Sequence, residues 1–263
     1  MPQNHPGAMG SGSNSLTELA AENARLHAEL AQLREQSADR AHQLDLYAAD
    51  LRETFMQERE RSRQLSGSYM ATVRALSNAV EARDAYTGKH AERVAAYAIE
   101  IGRALGLPGP GGTVSPEVEF GFLLHDIGKV AMPDAILFKP GPLTPQERAL
   151  MDRHPVIGAE ILASIEFLGE AAHVVRSHHE RWDGSGYPDG LAGEEIPLAA
   201  RVFAIADVLD ALTTDRPYRP RMGLAEARGL IAESSGTHFD PEIADAFASL
   251  DDEILLRIGR EIS

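Results

Sequence analysis

Residues 118–129 read Val-Glu-Phe-Gly-Phe-Leu-Leu-His-Asp-Ile-Gly-Lys, and the fold is decided where the apolar run meets the His-Asp pair. Val118–Leu124 is an apolar helical segment that ends on two metal-ligand side chains. Adjacent helical residues diverge by about 100°. His125 and Asp126 therefore reach one centre only near a helix end or across two cations. A carboxylate can bridge two cations while the histidine binds one of them, which suits a binuclear site.

Working outward, the other nitrogen and oxygen ligands are His90, His154, His178, His179 and Asp207. They recur roughly every 24 to 35 residues, about one per predicted helix. Zinc fingers and EF-hands instead gather their ligands in compact loops. The dispersed spacing predicts an all-α pocket into which several helices each project a ligand. Mixed imidazole and carboxylate donors favour iron, manganese or another first-row metal over magnesium or calcium. Helical periodicity punctuated by Pro and Gly predicts helices over 90–106, 116–127, 145–151, 155–164, 168–180, 198–214, 224–235 and 241–252. Thr144-Pro145-Gln146-Glu147 predicts an N-cap followed by proline at the first helical position. No strand alternation is sustained, and 107–116 reads as a surface loop.

Upstream the pattern changes. Leu16, Asn23 and Leu30 are spaced by seven, and Leu19, Leu26 and Leu33 form the complementary series. This is an a/d seam with one polar Asn, a device that fixes register and favours a parallel dimer. Leu44, Leu51 and Leu65 resume the seam after an eleven-residue step, which resembles a stutter. The expected organisation is a non-structural stretch at 1–14, where Gly-Ala-Met-Gly-Ser resembles a vector remnant, a coiled-coil helix at 15–83 and a catalytic domain at 84–263.

Composition narrows the function. There is no cysteine, which excludes disulfides, thiolate metal sites and cysteine nucleophiles and fits a reducing cytoplasm. No apolar run reaches membrane-spanning length, so no membrane partner is expected. The net charge of -15 disfavours DNA and requires local cations or metals for any anionic substrate. All three lysines, Lys89, Lys129 and Lys139, lie in the region of the ligand set. Lys129, one turn beyond His125, is placed to contact a non-bridging phosphate oxygen. In the loop 184–190, Gly184 and Gly186 permit backbone geometries closed to other residues, and Pro188 stiffens the exit. Within the full motif this loop is expected beside a substrate or a partner protein. Arg216, Tyr218 and Arg219 lie in an Arg/Tyr-rich run whose guanidinium groups and ring suit phosphates and bases.

His-Asp-Ile-Gly-Lys at 125–129, His154-Pro155, the run from His178 through Gly186-Tyr187-Pro188 to Gly190, and Asp207, in this order, resemble the HD-GYP family of HD-superfamily phosphohydrolases. The likeness extends from about Asp84 to Pro241. The resemblance implies an HD-type helical bundle with a di- or trinuclear centre, usually of iron or manganese. It also implies hydrolysis of cyclic di-GMP to pGpG, often followed by GMP. It makes His90, His125, Asp126, His154, His178, His179 and Asp207 metal ligands, with Asp126 as the bridge. It places Lys129 near the scissile phosphate and Asp183 beside the centre in a proton-handling role. Arg216, Tyr218 and Arg219 become substrate contacts. Some members add a glutamate one turn before the upstream histidine; Tyr86 stands there, which implies two metals. The alternatives are the same chemistry on another nucleotide, or a scaffold acting through the Gly186-Tyr187-Pro188 loop and the coiled coil.

Overall fold

A computed structural model describes residues 11–83, 89–107, 114–215 and 220–262. Among them every regular element is helical, as expected. The elements are α1 (Ser11–Glu81), α2 (His90–Ala104), α3 (Pro116–Leu123), α4 (Asp134–Leu137), α5 (Pro145–Met151), α6 (His154–Ala163), α7 (Gly169–Ser177), α8 (Leu198–Thr213), α9 (Leu224–Glu233), α10 (Pro241–Ala248) and α11 (Asp252–Glu261). A 3₁₀ turn, Ile127–Ala131, follows α3. No helix among the described residues is long and apolar enough to cross a membrane.

Two compact units result, divided between Ser66 and Gly67. In the first, the seam residues of α1 are exposed within a single chain, Leu16 by 71% and Leu51 by 70%. The division falls earlier than the expected boundary at 83/84. The reason is packing: Tyr69, Met70, Val73 and Val80 join the apolar core of the second unit. Helix α1 also starts at Ser11, inside the stretch expected to be non-structural.

The second unit is built around α8, whose Val202, Phe203, Ile205, Ala206 and Leu209 are buried. Phe203 stacks on Phe122 of α3 at 5.8 Å, and Phe239 and Phe247 are buried in the same core. Burying each such ring contributes about 2–3 kcal/mol. Caps fix where the helices begin. Ser115 accepts from Val118 N ahead of Pro116. Thr144 and Glu147 form a full capping box, in which the Glu147 carboxylate takes the Thr144 N–H at 2.7 Å. Helix α11, beyond the predicted elements, is capped by Asp251, whose side chain accepts from Glu253 N.

Candidate metal centre

Helix α3 stops at Leu123, so His125 and Asp126 lie in the turn that joins it to the 3₁₀ segment. A helix end is the arrangement that lets neighbouring residues face one centre. Gly128 makes this turn possible. A Cβ there would fall on the His154 carbonyl oxygen and lie 2.7 Å from Gly158 N. The absence of a side chain therefore lets the turn press against the start of α6, bringing Asp126 to His154.

The ligand atoms of His90, His125 and Asp207 lie within 4.8 Å of one another, and so do those of His154, His178 and His179. Asp126 reaches both sets. Its Oδ2 is 3.2 Å from His125 Nε2, and its Oδ1 is 3.3 Å from His154 Nε2. All seven residues expected as ligands thus converge. Lys129 Nζ sits 2.7 Å from the same Asp126 Oδ2.

Backbone carbonyls orient the rings. His125 Nδ1 faces Phe122 O at 3.0 Å, His154 Nδ1 faces Met151 O at 2.7 Å, and His178 Nδ1 faces Val175 O at 2.7 Å. In each case the partner lies three residues back. A carbonyl only accepts, so each Nδ1 carries the proton and each Nε2 presents its lone pair. Yet His154 Nε2 and His178 Nε2 stand 3.3 Å apart. Two facing lone pairs repel one another, and a shared cation resolves the repulsion. The donor set therefore fits first-row divalent metals.

The charge state of each group follows from its neighbours. Burial would raise the Asp126 carboxyl, but the Lys129 ammonium beside it outweighs burial and holds it well below the usual range. Asp207 is also held low: burial opposes ionisation, and the His90 hydrogen bond and charge win. Burial keeps His178 neutral. Burial lowers His179 to about 4. His90 behaves in the opposite way. Burial alone would lower it, but Asp207 at 3.3 Å and Asp210 at 2.7 Å push it up to about 10.

Asp210 is buried and accepts from Arg93 Nε at 2.6 Å while fixing the His90 ring. Its place one turn after Asp207 on α8 is a signal that could have found it. Glu180, also missed, is buried and accepts from the backbone N–H groups of Asp189, Gly190 and Leu191 at 2.7, 3.1 and 3.2 Å. Being ionisable and buried against a Gly-rich loop, it holds that loop by charge-assisted bonds.

The same loop folds back on the two histidines. A Cβ at Gly186 would lie 2.5 Å from Glu180 Cα and 2.6 Å from His179 O, so only glycine fits. Tyr187 N donates to His179 O at 3.2 Å, and its ring lies 4.8 Å from the His179 ring. Pro188 follows through a cis peptide bond. Asp183 is placed differently: it is exposed, and its carboxylate accepts from Ser185 N at 3.0 Å and Ser185 Oγ at 2.6 Å. Arg216, Tyr218 and Arg219, like Tyr86, lie outside the described residues.

The HD-domain family model matches residues 74–243, most of the second unit and every one of these ligands. The chain belongs to the HD-domain family. The relationship expected from the His-Asp and Gly-Tyr-Pro motifs is borne out. This HD domain is 40% identical over 193 residues to a cyclic di-GMP phosphodiesterase of Vibrio cholerae serotype O1, covering 69% of this chain and 39% of that protein. It is also 40% identical over 182 residues to a 3'3'-cGAMP-specific phosphodiesterase of the same organism, covering 68% of this chain and 34% of the relative. The chain thus spans well under half the length of these relatives. Among solved structures, the HD domain resembles a cyclic GMP-AMP specific phosphodiesterase of V. cholerae, with a TM-score of 0.51 and 21% identity over 71% of this chain and 53% of the other. That likeness is one of fold.

Proposed function

We propose that the chain is a metal-dependent phosphodiesterase that hydrolyses cyclic di-GMP to pGpG. The observation that carries this reading is Asp126, whose two oxygens face two different histidine sets. His90, His125 and Asp207 would hold one divalent cation, and His154, His178 and His179 the other, with Asp126 between them. The donors suit iron or manganese. Bound there, the cations supply Lewis acidity at phosphorus and a water acidified towards neutral pH.

The chain's own residues do the rest. Lys129, held against Asp126, keeps an ammonium group at the edge of the centre to meet a non-bridging phosphate oxygen. The carbonyl-tethered imidazoles preserve the geometry without rearranging during reaction. Tyr187, tilted against His179 with Gly186 and Pro188 on either side, offers a ring to a guanine at the mouth of the site. Arg216, Tyr218 and Arg219 supply further phosphate and base contacts. Support for the substrate is the 40% identity to a cyclic di-GMP phosphodiesterase. Equal identity to a 3'3'-cGAMP-specific enzyme favours a second reading, in which the mixed cyclic dinucleotide is preferred. Turnover of both dinucleotides at equal concentration decides between them: a higher kcat/KM for cyclic di-GMP supports the first reading, and the reverse supports the second.

Metal uptake carries its own signature. At pH 7 His90 holds a proton, whereas His178 and His179 do not. A cation entering beside His90 must displace that proton, so affinity there rises with pH, about tenfold per unit below the His90 pKa. Titration calorimetry with Mn²⁺ in two buffers of different ionisation enthalpy should show about one proton released per chain. Full uptake without proton release would contradict the assignment.

The exposed seam of α1 is assigned to a parallel homodimer, with Asn23 setting register. Sedimentation at micromolar concentration should give a dimer that becomes a monomer when residues 11–66 are removed. A monomeric full chain would overturn the assignment.

A further inference from the structure

Helix α2 begins at the ligand His90, yet its own N-cap is poorly suited to hold it. Lys89 occupies that position at φ 53°, in the left-handed region, and its side chain makes no capping hydrogen bond. The first N–H groups of a helix need acceptors. Here one acceptor comes from another helix. Oε1 of Glu81, the final residue of α1, takes the Ala91 N–H at 2.6 Å. Ala91 directly follows His90, and a carboxylate is the charge a helix N-terminus favours.

The same stretch of chain fastens two further parts of the site. The buried Ser77 hydroxyl donates to Leu123 O at 2.8 Å, two residues before His125. Arg83 Nη1 donates to Val130 O at 2.8 Å, next to Lys129. Glu81, His90, His125, Asp126 and Lys129 line one small cavity.

We propose that Glu81 is a positioning residue that caps α2 from the end of α1 and so holds His90 in place for its cation. The inference rests on the metal-centre reading above. It assigns Glu81 no bond to the metal; it acts through the backbone beside a ligand. Removing the carboxylate should weaken the cation bound by His90, His125 and Asp207 and spare the one bound by His154, His178 and His179.

The test is Mn²⁺ titration of the full chain, counted by metal analysis and followed by electron paramagnetic resonance, on wild type, Glu81→Ala and Glu81→Gln. Wild type should bind two Mn²⁺ per chain. Glu81→Ala should bind one of them about 10- to 100-fold more weakly, the usual size of an outer-shell loss. Glu81→Gln keeps an oxygen able to accept the Ala91 N–H and should recover most of the affinity. Where Glu81→Ala fails to fold by circular dichroism, Glu81→Asp, one methylene shorter, replaces it with the same selective loss expected. Unchanged affinities in the variants, equal weakening of both cations, or a Gln variant as poor as Ala would each overturn the proposal. A wild-type chain that takes up no Mn²⁺ would instead overturn the metal-centre reading beneath it.

Discussion

Asp126→Ala should reduce turnover of cyclic di-GMP by about 10³-fold or more, the scale expected when several kcal/mol of transition-state stabilisation are removed. The argument is geometric. Asp126 places one oxygen 3.2 Å from His125 of the first set and the other 3.3 Å from His154 of the second. It also anchors Lys129 at 2.7 Å. Truncating it removes the link between the sets and releases the ammonium group in a single step. Metal content should fall together with kcat/KM. Steady-state kinetics with metal analysis on the same preparation checks this. A variant that keeps both metals and hydrolyses at the wild-type rate would remove Asp126 from the centre.

Gly128→Ala should have the largest effect on stability, about 3 kcal/mol, at the upper end for overpacking a rigid contact. Its added methyl would meet backbone, namely the His154 carbonyl and Gly158 N, and not a flexible side chain that can rotate away. Relief requires the turn carrying Asp126 to separate from α6. Loss of stability should therefore come with loss of metal at the His154 set. Urea unfolding measures the first and Mn²⁺ titration the second. By contrast, Gly67→Ala on α1 meets nothing within 4 Å and should leave metal uptake unchanged while raising stability by up to about 1 kcal/mol.

These two residues also show what sequence can reveal. The residues that converge were legible because each is a side-chain type with few ordinary reasons to recur once per helix, and because His125-Asp126 could serve one centre only at a helix end. The all-α class followed from the same periodicity. Less legible was whatever depends on backbone partners distant in sequence. Glu81 precedes His90 by a stretch with no capping signature of its own, and its partner is a main-chain N–H that carries no residue code. Glu180 likewise binds three backbone donors. Asp210 was partly visible, one turn after Asp207, but its pairing with both His90 and Arg93 exists only once α2 packs on α8. The boundary near Gly67 was hidden for a related reason. The heptad leucines and the core residues Tyr69, Met70 and Val73 continue one uninterrupted helix, and periodicity does not say which face meets which partner.

The central claim is a two-cation centre that cleaves a cyclic dinucleotide. Its most direct test is to purify the full chain anaerobically, count iron and manganese per chain, and follow cyclic di-GMP by chromatography before and after chelation. The account predicts about two metals per chain and conversion to pGpG that stops on chelation and returns with Mn²⁺ or Fe²⁺. Hydrolysis that persists in the stripped protein, or a fully loaded protein that leaves both cyclic di-GMP and 3'3'-cGAMP intact, would contradict it.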